Sequence, residues 1–284
     1  MFKPLNKTLN FSILMLFTLL PLLAGLGYAI AYSFGLVGVL NKGFTLENWK
    51  ILFSTSEVYI SVLYTSWLAF ASLSICIFIS LAVVLAFPKK FKSGIFSYLV
   101  YMPLAFPSIV AAFFFFQFLS NAGILARLCH QLGIINQISD FPNLVNDSYH
   151  IGIISTQTFL SLPFFILLYA SLYQAEKLED YQKLAYALGA SKKQTIFKIS
   201  IPILLKRSLP SIIIYFIFKL GSYEVPLLLG KSSPETISVL AVRKLQKFNL
   251  LDIPQGYAIA VIYAFLVLLL LFIAFKKSKH QYEV

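Results

Sequence analysis

The chain has 284 residues, of which 59% are hydrophobic and only 12% charged, and its mean hydropathy is +0.82. A soluble domain of this length carries far more polar surface, so the composition excludes a soluble globular enzyme and indicates a polytopic membrane protein. The net charge of +12 does not indicate nucleic-acid binding, because the basic residues cluster beside apolar runs, as they do at the cytoplasmic flanks of membrane spans.

A membrane-spanning helix needs about 20 apolar residues, and six stretches qualify: residues 10–36, 59–87, 97–119, 151–173, 208–229 and 256–275. The first follows Lys3 and Lys7 and passes Ala29-Ile30-Ala31, a small-x-small pattern that a cleaved signal peptide also shows. The apolar run continues to Leu40, longer than a signal core, which favours a retained span. Pro103, Pro107, Pro163 and Pro226 lie within the later runs or near their ends, where neighbouring helices or a cavity can satisfy the carbonyls they free. The run from Phe113 to Phe116 is expected to face lipid or to pack in the core. Residues 121–149 and 231–255 are long enough to carry short amphipathic helices. Fifteen of the 23 basic residues fall at the N-terminus, in the second and fourth connections and in the tail, and only seven in the alternate connections. That asymmetry predicts both termini and the fourth connection in the cytoplasm.

The fourth connection, residues 174–207, is a charged insert. Leu178, Tyr181, Ala185 and Leu188 recur at helical spacing, with Glu176, Glu179, Asp180 and Lys183 on the other side, so an amphipathic helix is expected that does not span. Gly189 supplies a left-handed stop, and Ser191 followed by Gln194 is a capping-box start for a second helix carrying Lys192, Lys193 and Lys198. Pro202 either ends that helix or begins the next segment. The expected product is a helical hairpin able to dock a partner.

Lys219 and Glu224 are the charged residues well inside an expected span. Intramembrane charges are costly and face a cavity, a partner or a pathway. On one continuous helix they would stand about 140° apart, at ~100° per residue, and so pair poorly. Gly221 and Pro226 predict local irregularity there, which transporter spans use to expose backbone to a cavity. Lys219, Tyr223 and Glu224 are therefore candidates for a translocation path, with pairing to a partner subunit or snorkelling as the plainer reading of Lys219. No catalytic, cofactor-binding or metal-ligating set is found. Cys76 and Cys129 make no disulfide framework and the three histidines lack ligand spacing. Gly230-Lys231-Ser232 mimics the end of a phosphate-binding loop, but Val225 stands where its first glycine is needed.

The insert resembles the cytoplasmic EAA loop of permease subunits of ABC importers. That loop reads Glu-Ala-Ala, three residues, Gly, nine residues, Ile-x-Leu-Pro. Here Lys183-Leu184-Ala185, Gly189-Ala190 and Ile199-Ser200-Ile201-Pro202 stand in its place. Lys183 and Leu184 depart from the Glu and Ala of the pattern, so the family's ion pair to the ATPase is not carried over. Residues 102–112, Asn121-Ala122-Gly123-Ile124-Leu125, Leu162-Pro163-Phe164 and residues 221–230 are similar to further family segments, the last to permeases for polyamines, ferric iron, thiamine, sulfate and molybdate. The resemblance covers residues 59–275. It implies an all-α, six-helix type I importer permease of the inner membrane. A first helix and loop would occupy residues 1–58, a five-helix core 59–275 and a basic tail 276–284. It also implies ABC ATPase subunits that bind the ATP, a second permease subunit and an extracytoplasmic solute-binding protein as partners, with lipid around the spans and no cofactor on this chain. Glu224 beside Tyr223 leads to the expectation of a polyamine or ferric iron as substrate, with Lys219 favouring an anion instead. A stand-alone secondary transporter or channel is the alternative, disfavoured by the lack of an inverted repeat.

Overall fold

The computed structural model describes residues 7–39, 41, 43–88, 95–247 and 249–282; Lys3, Lys89, Lys90 and Lys92 of the basic clusters lie outside them. The described residues form helices joined by turns and loops and contain no strand. Among the described residues, six helical segments are long and apolar enough to cross a membrane. The chain divides into two compact units, one drawn from Met1–Ser61 and Ile237–Leu268, the other from Val62–Thr236 and Leu269–Val284.

In the first unit, helix α1 (Lys7–Ser33), α2 (Glu47–Ser54), α12 (Ile237–Leu245) and the start of α13 (Ile253–Tyr282) are held by aromatic and ionic contacts. The rings of Tyr32 and Tyr257 lie 4.4 Å apart, and Trp49 stacks on Phe34 at 5.6 Å. Glu57, at the start of α3 (Glu57–Ala86), pairs with Arg243 and, at 3.4 Å, with Lys244. Lys244 also donates to Gln255 Oε1 at 3.1 Å. None of these pairs was visible as a spacing in the sequence, because their members are far apart along the chain.

The second unit is built on α3, α5 (Ser108–Leu119) and α7 (Ile151–Ala175), with α8 (Leu178–Ala187), α10 (Ile201–Leu220) and α11 (Glu224–Leu229) packed against them. Burial on α3 follows helical spacing, and the buried face mixes leucines such as Leu68, Leu73 and Leu81 with small residues. Ser72, Cys76, Ser80 and Val84 are buried, whereas Leu63, Trp67, Phe70 and Phe78 are exposed. In lipid the apolar side chains need not go inside, and small residues are what let helices approach closely. Alanines 111 and 112 play the same part on α5, while Phe113 and Phe114 face outward, as expected for a lipid-facing run. Two polar bonds cross between α3 and α7. Ser72 Oγ donates to Gln157 Oε1 at 3.0 Å, and Thr158 Oγ1 donates to the Ser72 carbonyl at 3.2 Å.

Two expected spans are corrected. Residues 97–119 are not one helix: α4 (Ile95–Tyr101) gives way to a 3₁₀ turn at Met102–Ala105, and Phe106 is extended at φ −85° and ψ 119° before α5 starts. Pro107 disfavours helical geometry in the residue before it and has no N–H to continue the ladder. The spanning segment is instead Ser108–Gln131, which includes α6 (Ile124–Gln131). The fifth span is likewise shifted, to Lys192–Leu220, because α10 ends at Gly221 and α11 restarts at Glu224. The short helices expected in residues 121–149 and 231–255 are α6 and α12.

Gly256 lies under Leu245 in the first unit, and a Cβ there would come within 2.9 Å of the leucine side chain and 3.1 Å of its backbone nitrogen. Gly256→Val should therefore lower stability by about 1–3 kcal/mol through overpacking, read as an earlier thermal transition of the purified protein in detergent. An unchanged transition would show that α12 shifts freely over α13.

Candidate functional site

The insert is a wired hairpin, although not quite the expected one. Lys177 turns the chain in the left-handed region at φ +49° and α8 follows. Its end satisfies the last carbonyls by a paired motif: Ala190 N–H donates to the Ala185 carbonyl at 2.9 Å and Gly189 N–H to the Tyr186 carbonyl at 3.0 Å. Gly189 takes φ +85°, the conformation that only glycine adopts without strain. The capping box forms as expected, with Ser191 N–H donating to Gln194 Oε1 at 2.9 Å and Gln194 N–H to Ser191 Oγ at 3.3 Å. The second helix, α9 (Lys192–Thr195), does not stop. It runs through a widened turn at Ile196–Ser200 into α10. Pro202 has no N–H for the Lys198 carbonyl and its ring crowds that oxygen, and a turn with i to i−5 bonding relieves the crowding. Ile201 N–H accordingly donates to the Ile196 carbonyl. Ile199 sits half-buried inside this turn and Pro202 is exposed in the first turn of α10.

The expected apolar stripe is corrected as well. Leu178 and Ala185 are buried, but Tyr181 and Leu188 are exposed, Leu188 to 81%. Leu184 and Phe197 are exposed too, so the hairpin presents an apolar surface rather than hiding one. Lys183 pairs within its own helix, with Glu179 at 3.3 Å and Asp180 at 3.9 Å. What fixes the hairpin is a chain that sequence reasoning missed. Tyr173 Oη donates to Gln182 Oε1 at 3.1 Å, and Gln182 Nε2 donates to Ser200 Oγ at 2.9 Å. Arg207 Nε meets Glu176 Oε1 at 2.8 Å. These bonds tie α7, α8 and α10 together; a glutamine on the buried side of an amphipathic helix was the available signal.

The intramembrane charges occupy a second place. Lys219 lies in the last turn of α10 and Glu224 opens α11, so they are on separate helices and the 140° separation does not apply. Each sits at the helix end whose partial charge suits it. Both line one cavity of about 300 Å³, together with Ser108 on α5, Gln157 and Ser161 on α7, and Ser222 in the break between helices. Tyr223 is half-buried and does not line it. Lys219 is only 5% exposed, and its Nζ donates to the Gln157 carbonyl at 3.0 Å. The same carbonyl accepts from Ser161 Oγ at 2.6 Å. Glu224 Oε2 accepts from Ser108 Oγ at 3.1 Å. Lys219 and Glu224 thus reach one space without meeting. Gln157 and Ser161 were missed because single polar residues in an apolar run do not announce which face they take. Elsewhere in this unit Tyr64 Oη lies 3.1 Å from His150 Nδ1, and burial holds His150 below its ordinary pKa against the opposing pull of Asp147.

Residues 78–277 match the family described as binding-protein-dependent transport system inner membrane component. A probable sulfate transport system permease protein of Zygnema circumcarinatum is 24% identical over 270 residues, covering 91% of this chain and 88% of that one. Among solved structures, a bacterial ABC transporter involved in the import of the acidic polysaccharide alginate aligns with a TM-score of 0.70 at 19% identity, covering 96% of this chain and 93% of its counterpart. A bacterial alginate ABC transporter in complex with an alginate pentasaccharide-bound periplasmic protein aligns with a TM-score of 0.67 at 19% identity, covering 94% and 90%. The fold is therefore that of ABC importer permeases.

Gln182→Ala would leave Tyr173 and Ser200 without their partner, and should cost about 1–3 kcal/mol. Lys183→Ala breaks only exposed ion pairs and should cost less than about 1 kcal/mol. Thermal unfolding of the two purified variants would reverse in order if the ion pairs, rather than the buried chain, held the hairpin.

Proposed function

Since this chain belongs to the family of binding-protein-dependent transport system inner membrane components, we propose that its two sites divide the work of an importer: the hairpin docks the ATPase and the cavity passes the solute. The chain is the permease subunit of an ABC importer, a multi-pass protein of the inner membrane and not an enzyme; ATP hydrolysis belongs to a separate subunit. Its partners are ABC ATPase subunits, a second permease subunit and an extracytoplasmic solute-binding protein. The hairpin carries the coupling residues Lys183, Leu184, Ala185, Gly189, Ala190, Ile199 and Pro202. The exposed Tyr181, Leu184, Leu188 and Phe197 give a partner apolar surface to cover. The bonds from Tyr173 through Gln182 to Ser200 let a push on α8 reach α7 and α10 as a rigid movement.

Both termini and the hairpin are cytoplasmic in this reading, because that arrangement puts fifteen of 23 basic residues inside. In a background with Cys129→Ser, a cysteine at Lys192 should resist a membrane-impermeant thiol reagent in intact cells while one at Asn146 reacts. The opposite pattern inverts the topology and takes ATPase docking at this hairpin with it.

The solute is an anion. One observation carries this: the Lys219 ammonium is 5% exposed in an apolar span and among the described residues it bonds to a neutral carbonyl and to no carboxylate, leaving a counter-charge for an anion to supply. The sulfate-type relative and the alginate importers lean the same way. The expected polyamine or ferric iron has no comparable support. Cells carrying the complete transporter should accumulate labelled D-galacturonate or sulfate rather than labelled spermidine. Lys219→Met should reduce that uptake about tenfold or more at equal membrane abundance, with Lys219→Arg less affected. Spermidine uptake that survives Lys219→Met would overturn the anion and leave the permease assignment standing.

A further inference from the structure

We propose that the cavity among α5, α7, α10 and α11 is a binding site for a solute with an anionic group at one end and hydrogen-bond donors at the other, as in a sugar acid or hydroxy acid. This rests on the anion reading above and narrows it. The cavity holds one charge of each sign, and the two are kept apart. Lys219 is anchored by the Gln157 carbonyl at 3.0 Å, Glu224 by the Ser108 hydroxyl at 3.1 Å, and the break between α10 and α11 separates them. Opposite charges withdrawn from water lower each other's cost by pairing, yet the buried Lys219 and the half-buried Glu224 face the same space of about 300 Å³ without pairing among the described residues. An ammonium has three donors and a carboxylate about four acceptor sites, and among the described residues each uses one. The unused capacity of the two walls is complementary to a single ligand that accepts at Lys219 and donates at Glu224.

That complementarity separates the anions from one another. Sulfate, which has acceptors only, satisfies Lys219 but sets its second charge against Glu224 across a small, weakly screened space. Glu224 is then the repulsive element that rejects it. A polyamine satisfies Glu224 and is repelled by Lys219. A monoanion bearing hydroxyls matches both walls, and Ser161 and Ser222 add polar groups along its length. The volume is at the lower end of that of ligand clefts, which suits one sugar-sized unit.

The test uses the complete transporter, permease and ATPase subunits together, reconstituted in nanodiscs without the solute-binding protein so that only the pore can bind. Labelled D-galacturonate should be retained by the wild type and displaced by unlabelled galacturonate but not by sulfate at the same concentration. Glu224→Gln should weaken galacturonate about tenfold and make sulfate a competitor, a gain that misfolding does not produce. Lys219→Met should abolish retention. Retention of sulfate instead of galacturonate, or of neither, overturns the two-ended site and leaves the anion reading to the uptake experiment. Retention of spermidine alone overturns both.

Discussion

A peptide bond in hydrocarbon has no water to turn to, so each interruption of a helix must be enclosed by protein or line a cavity. The rest of the second unit depends on this constraint. The chain breaks between Leu220 and Glu224, and Ser108, Gln157 and Ser161 close around that break. The carbonyls and amides released there are what make room for Lys219 and Glu224, because a helix end tolerates the charge that matches its dipole. A continuous fifth span would have placed both charges on one rod with no polar space between them.

The same solvent relaxes the usual logic of burial. Large side chains such as Trp67, Phe70 and Phe78 face outward, while Ser72, Cys76 and Ser80 pack inside beside Leu68, Leu73 and Leu81, since lipid accepts apolar side chains and small residues reward close approach. The interior is consequently rich in hydroxyls. Ser72 and Thr158 use theirs to join α3 to α7, with Gln157 belonging both to that join and to the cavity wall. Alanines 111 and 112 do on α5 what the serines do on α3.

A coupling element must be stiff where it transmits and adaptable where it docks. The hairpin has the internal bonds such an element needs: the paired carbonyl cap at Ala190, the capping box at Ser191, and the run from Tyr173 to Ser200. Lys183 takes part locally, satisfied by Glu179 and Asp180. In the coupling role proposed above, a partner would meet the exposed Tyr181, Leu184, Leu188 and Phe197 beside the exposed Lys192, Lys193 and Lys198 on one frame.

The sequence by itself determined the class of protein, the number of spans, the hairpin with its glycine stop and capping box, and the two intramembrane charges worth naming. Each of these depends on composition or on spacing within a few residues, where the chemistry is local. Tertiary structure decided the rest. Proline moved the third span to Ser108–Gln131, and a widened turn carried α9 into α10 past Pro202, since a proline fixes a conflict while its neighbours choose the remedy. Tyr181 and Leu188 turned outward because only the packing of α7 and α10 says which side of α8 is covered. Lys219 and Glu224 came to one cavity, with Gln157 and Ser161 in its wall, because residues some sixty positions apart meet only when helices do. The period of a helix reads along one chain segment, whereas a site is assembled across several.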